Sequence, residues 1–217
     1  MKIELSLLFF VEAVGTIAFA SSGAMVAIKK QLDLLGVIVL GVTTAVGGGM
    51  LRDIIIGNVP PALFMDPIYV LLAFITVMLL FITVRMNQKF ISGRHMETFE
   101  KVMNIFDAIG LGAFTVVGID TAVLAGYGDY HFLIVFLGVI TGVGGGILRD
   151  IMAGQTPYVL KKHIYACASI AGAMLYAGLM NHINEDIAML AGAATVIVIR
   201  LLATRFCWNL PTAVKNN

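Results

Sequence analysis

Charge is what this chain has least of. Only 12% of its 217 residues are Asp, Glu, Lys or Arg, about half the ~25% usual in soluble domains. So little polar surface cannot cover a shell facing water, which argues against a cytosolic globular enzyme. The same composition excludes disorder. The net charge is +1, so nothing points to nucleic acid or another polyanion as partner. Cysteine is nearly absent: Cys167 and Cys207 sit in apolar stretches without CxxC spacing, so no disulfide or thiolate framework is indicated. His95, His131, His163 and His182 are scattered at span ends without an HExxH pattern, which leaves no metal site or intramembrane protease to propose. Gly142 and Gly144 do not complete GxGxxG, and no glycine run leads into the Lys-Ser/Thr of a P-loop. No cofactor is called for. What the chain does have is apolarity, with 59% hydrophobic residues and a mean hydropathy of +0.96. It reads as an all-α integral membrane protein and not as an enzyme.

A hydrocarbon core about 30 Å thick takes roughly 20 apolar residues per helix. Seven stretches qualify, at 5–28, 34–57, 66–86, 103–124, 131–153, 163–181 and 186–206. A membrane barrel would instead alternate apolar and polar residues over strands of about ten. The first stretch follows Lys2 but carries Glu12 and is too long for a signal-peptide core, so it reads as a mature helix. Lys29, Lys30, Arg85, Lys89, Arg94, Lys101, Lys161, Lys162, Arg205 and Lys215 fall on one set of connections. The opposite set holds Lys2 with Asp66, Asp120, Asp129, Glu185 and Asp186. The bias predicts the N-terminus outside and the C-terminus in the cytoplasm. Tyr69, Tyr165 and Trp208 read as anchors at the membrane interface.

The chain repeats itself. Residues 40–60 and 137–157 align without a gap and are identical at 14 of 21 positions. Upstream the match continues two residues out of step, placing Glu12, Ala18, Phe19 and Gly23 opposite Asp107, Ala113, Phe114 and Gly118. Each unit is three helices long, predicting repeats over 1–90 and 91–183 with a seventh helix and tail at 184–217. An odd number of helices per unit inverts the second copy relative to the first, an arrangement that transporters use to place a site at the repeat interface.

The shared segment is GGGxLRDxxxGxxP. Gly47, Gly48, Gly49 and Gly144, Gly145, Gly146 lie inside the second and fifth spans. Three adjacent glycines weaken a helix by about 1 kcal/mol each relative to alanine, so kinks are expected there, although tight packing at glycine is the plainer alternative. Arg52, Asp53, Arg149 and Asp150 follow directly. Intramembrane charges face a bundle interior or water, and neighbours about 100° apart on a helix need not pair, so the charges are read either as salt bridges across the repeats or as pore and gate groups. Glu12 and Asp107 occupy matching positions as candidate pathway carboxylates, with Asp107 the shallower and weaker. Thr43, Thr44 and Thr141 precede the glycines and either offer hydroxyls to ions or bond back to their own helix.

Two copies of this motif in three-helix units plus a seventh helix resemble the prokaryotic trimeric intracellular cation channels, bacterial proteins also described as carrying a glycine transporter domain. The resemblance runs from Glu4 to Phe206. It implies a homotrimer in the bacterial cytoplasmic membrane, with a pore in each subunit kinked at the two triple glycines, conducting mainly potassium and also sodium. The residues alone leave three classes open: a cation channel, a carrier of glycine or another small zwitterion, and a non-conducting scaffold.

Overall fold

The computed structural model describes residues 6–87, 96–161 and 164–208. Lys2, Lys89, Arg94, His95, Lys162, His163, Lys215 and the expected unit boundary at 90/91 lie outside the described residues. The described chain is helical throughout: α1 (Leu7–Lys29), α2 (Leu34–Ile55), α3 (Ala62–Met65), α4 (Ile68–Met86), α5 (Met96–Ala122), α6 (His131–Met152), α7 (Tyr158–Lys161), α8 (Tyr165–Leu179) and α9 (Glu185–Arg205). A π-helical turn, Val123–Tyr127, extends α5.

Local chemistry fixes the helix starts. Ser6, Asp33 and Asn184 each accept a backbone N–H from the first turn of α1, α2 and α9, satisfying donors the helix cannot. The end of α2 is closed by Gly57 at φ 79°, whose N–H donates to the Ile54 carbonyl while Asn58 N–H reaches the Asp53 carbonyl. Gly154, Gln155, Ile151 and Asp150 repeat the same closure after α6. Both glycines sit in the left-handed conformation that this turn requires.

Among the described residues six helices are long and apolar enough to cross a membrane. The span expected at 163–181 is the 15-residue α8, about 22 Å long at 1.5 Å per residue. It starts late because Ile164 takes a left-handed conformation and Tyr165 turns inward. In the other direction, α5 begins seven residues before its expected start at 103, its first turns carrying a Glu97–Lys101 ion pair outside the apolar stretch. The short helices α3 and α7 were not expected.

The molecule exposes large apolar side chains and buries charged ones within its apolar core. Phe132, Leu79, Leu124 and Met174 are exposed, whereas Arg52, Asp53, Asp107, Arg149, Asp150 and Arg200 are buried. That distribution suits lipid as the solvent. At the centre α1 packs on α2 and α5, α5 on α6, and α2 crosses α6. Helix α4 flanks α1 and α2, while α8 and α9 flank α5.

The crossing of α2 and α6 is made by the triple glycines, and there neither helix is broken. Both helices run without interruption through Gly47–Gly49 and Gly144–Gly146, and none of these glycines has a positive φ. The glycines bring backbones together. A methyl group on Gly48 would land on the Thr141 carbonyl oxygen, and one on Gly145 on the Thr44 carbonyl oxygen. Gly49 is different, for a methyl there has only Arg52 Nη2 nearby, at 3.8 Å.

Gly48→Ala and Gly145→Ala should therefore each cost about 1–3 kcal/mol through overpacking, read as a lower thermal midpoint of the detergent-solubilised protein. Gly49→Ala should stay close to the unaltered protein. Equal midpoints for all three variants would remove the crossing as the reason for the glycines.

Candidate functional site

Each repeated motif builds the same small device. In the last turn of α2, Arg52 folds back on its neighbour, its Nε and Nη2 donating to Asp53 Oδ1 at 3.0 and 2.8 Å. The second carboxylate oxygen accepts the Ala62 N–H at the start of α3, 2.9 Å away. Arg52 Nη1 reaches across to Thr121 Oγ1 on α5 at 3.0 Å. In α6, Arg149 Nε donates to Asp150 Oδ1 at 2.9 Å, and Asp150 Oδ2 accepts the Tyr158 N–H at the start of α7 at 2.7 Å. Arg149 Nη1 reaches across to Ser22 Oγ on α1 at 2.7 Å. The glycine-closed turns set the distance from each aspartate to the short helix it caps. The charge pairing expected across the repeats is thus replaced by pairing within each motif. What each arginine sends across between the halves is a hydrogen bond to a hydroxyl.

The two devices lie at opposite ends of the bundle and differ in surroundings. The first stands at the end that carries Asp66, Asp129, Glu185 and Asp186, the acidic end. Beside it lies a cavity of about 230 Å³ lined by Glu12, Thr16, Arg52, Asp53, Asp66, Tyr69, Phe114 and Thr121.

The second device stands at the end that carries Lys29, Lys30, Arg85, Lys101, Lys161 and Arg205, the basic end. It is filled. Arg149 Nη1 also meets Asp107 Oδ1 at 2.5 Å, and its guanidinium lies 5.2 Å from the Tyr158 ring centre. Burial holds the Tyr158 hydroxyl above its ordinary range, against the pull of Arg149. Arg200 enters from α9, with Nη2 3.9 Å from Asp107 Oδ2 and its guanidinium 4.5 Å from the Tyr165 ring centre. Asp107 is only 1% exposed, so the carboxylate read as the shallower of the two is the hub of this site. Glu12 is partly exposed at the cavity.

Between the ends stand Phe19 and Phe114, matched positions of the two copies, with ring centres 5.4 Å apart. Thr44 and Thr141 donate their hydroxyls to the Leu40 and Leu137 carbonyls of their own helices at 2.6 Å, the back-bonding alternative. Gly47 and Gly144 are buried at the same crossing, whereas Gly146 is buried beneath the Tyr165 hydroxyl of α8.

Sequence reasoning missed several participants, Thr121 and Tyr158 among them. Tyr69 and Tyr165, read as interface anchors, line the cavity and the buried site respectively. Their one available signal was their correspondence across the repeat, 96 residues apart. Arg200 carried the signal of any arginine set inside an apolar span. Ser22 carried none. Among the described residues no group of His, Cys, Asp and Glu is placed to hold a metal ion.

Comparisons with known proteins agree with this picture. The glycine transporter family profile matches the chain twice, over residues 9–85 and 104–181. The UPF0126 inner membrane protein YadS of Escherichia coli K12 is 36% identical over 95% of this chain and 96% of its own. A UPF0126 membrane protein of Deinococcus radiodurans is 36% identical over 94% and 91%. Among solved structures, one described in terms of conductance through TRIC cation channels superposes with a TM-score of 0.81 at 33% identity, over 96% of this chain and 98% of the other. A trimeric intracellular cation channel orthologue from Rhodobacter sphaeroides gives 0.81 at 29%, over 92% and 98%.

Pairing within each motif has a measurable signature. In double-mutant cycles of thermal stability, Arg52→Gln with Asp53→Asn should show a coupling of about 0.5–3 kcal/mol, because either single change strands a buried charge. Arg52→Gln with Asp150→Asn should be additive. Coupling in the second cycle and none in the first would restore the pairing across the repeats.

Proposed function

The chain belongs to the TRIC-like family of bacterial membrane proteins that carry the glycine transporter domain, and from that premise we propose that it is a channel for monovalent cations, mainly potassium. The observation that carries this reading is the charge of the acidic-end cavity, where Glu12, Asp53 and Asp66 face the single cation Arg52. An excess of carboxylate in a low-dielectric recess concentrates cations and repels anions. In this reading the path runs inside each subunit of a homotrimer in the cytoplasmic membrane. It leads from that cavity, past the crossing of α2 and α6, to Asp107. The two three-helix units, 1–90 and 91–183, cross the bilayer in opposite senses, with α9 added to the second.

The state described above is closed. Phe19 and Phe114 touch, and Gly48 and Gly145 lie on opposing backbone. Opening is a separation of α2 from α6 that exposes the Thr44 and Thr141 carbonyls to a passing ion. Arg52, Asp53, Arg149 and Asp150 brace the helix ends during that movement, and Glu12 and Asp107 draw the ion in and out. The carrier reading loses ground on one point. A zwitterion needs a free guanidinium and a free carboxylate, and in both motifs these are bound to each other.

The experiment is purified protein in a planar bilayer under a potassium gradient. Stepwise unitary currents are expected, and Glu12→Gln should lower them several-fold with assembly unchanged. Uptake of labelled glycine without unitary steps would overturn the channel in favour of the carrier. Orientation is tested separately, with Cys167 and Cys207 replaced. Cysteines at Asp129 and Asp186 should react with an impermeant thiol reagent outside intact cells, and one at Lys30 should not. The reverse pattern would invert the topology.

A further inference from the structure

The acidic-end and basic-end sites are built from corresponding residues, yet their charges do not match. Glu12 corresponds to Asp107, Tyr69 to Tyr165, and Arg52–Asp53 to Arg149–Asp150. At the acidic end the carboxylates of Glu12 and Asp53 have one guanidinium between them. At the basic end the carboxylates of Asp107 and Asp150 have two, Arg149 and Arg200. The extra one comes from α9, the helix without a twin in the first unit, so nothing in the first repeat supplies its equivalent.

The manner of contact separates the two arginines. Arg149 meets both carboxylates by direct hydrogen bonds. Arg200 stands 3.9 Å from Asp107 Oδ2 and presents its flat face to the Tyr165 ring. Asp107 Oδ2 and the Tyr165 hydroxyl have no hydrogen-bond partner, although both residues are more than nine-tenths buried. A carboxylate oxygen and an aromatic ring placed around the same guanidinium, with an unpartnered phenol oxygen on that ring, are groups that bind a cation.

We propose that the basic-end pocket of Asp107 and Tyr165 is a second site for a monovalent cation, occupied in this state by the Arg200 guanidinium as a tethered substitute. The proposal rests on the channel reading for its role in conduction, and on geometry alone for binding. While Arg200 is in place the two carboxylates of the pocket are matched by two guanidiniums, which leaves a potassium ion nothing to enter. Withdrawal of Arg200 leaves two carboxylates to one guanidinium, the ratio that Glu12 and Asp53 have with Arg52 at the acidic end.

The test is thermal unfolding of the full chain in detergent, in potassium chloride against choline chloride at equal ionic strength. Arg200→Gln should gain a potassium-dependent rise of roughly 2–4 °C beyond that of the unaltered protein. Arg200→Lys, which keeps a tethered cation, should gain none. Adding Asp107→Asn to Arg200→Gln should abolish the gain. No potassium response in Arg200→Gln, or one that survives loss of Asp107, overturns the proposal. Failure of Arg200→Gln to assemble even in potassium chloride, while the double variant assembles, also overturns it, because potassium then cannot replace the guanidinium. This readout needs no conduction. An electrically silent protein would sink the channel reading and leave the binding result to stand or fall by itself.

Discussion

An arginine sunk among lipid-facing helices costs at least about 2.5–3.5 kcal/mol on insertion, and that cost falls only if a counter-charge lies within reach at once. Here the counter-charge is the next residue. Once Arg52 has taken one oxygen of Asp53, the other oxygen needs a donor, which the first N–H of α3 provides. That N–H arrives in place because Gly57 turns the chain sharply after α2. Arg149, Asp150, Gly154 and the Tyr158 N–H repeat the sequence of requirements. The spacing of arginine, aspartate and glycine in the repeated motif is therefore the spacing of one neutralised charge and the turn that completes it.

The rest of the bundle is arranged around these two fixed ends. Helices α2 and α6 carry one device each, and their glycines let them cross at backbone distance. Threonines that could have faced an ion are bonded to their own helices and serve as the surface on which glycines rest, Gly23 against Thr44 and Gly118 against Thr141. Neutralisation at one end leaves an open recess beside Glu12. At the other end α9 fills the corresponding place.

How far could this be read from the chain alone? The spans, the repeat and the membrane setting follow from long apolar runs and a motif written twice, because lipid imposes composition directly. Arg52, Asp53, Arg149 and Asp150 stood out as expensive residues in an apolar context. Their partners did not, since a helix places neighbours about 100° apart while a long arginine side chain can fold back over that angle. Asp107 looked the weaker candidate because only its position along the sequence could be counted, and its burial among α1, α6 and α9 could not. Tyr69 and Tyr165 looked interfacial because tyrosine usually is, and only three-dimensional placement turns them inward. The glycines were visible but ambiguous between breaking a helix and joining two. Which of these holds depends on the neighbouring backbone.

Ordinary helix pairs are geared. Side chains of one sit between those of the other, and rotation of either has to unmesh them. Where Gly48 and Gly145 lie on the facing carbonyls, the gears have no teeth. The contact is intolerant of anything added, yet it resists sliding very little, which makes it a bearing. The nearest teeth are Leu148 over Gly47 and Leu51 over Gly144, one residue to either side. The speed of such sliding is set by whatever grips farther out, at the charged ends and against lipid, and not by friction at the middle of the membrane.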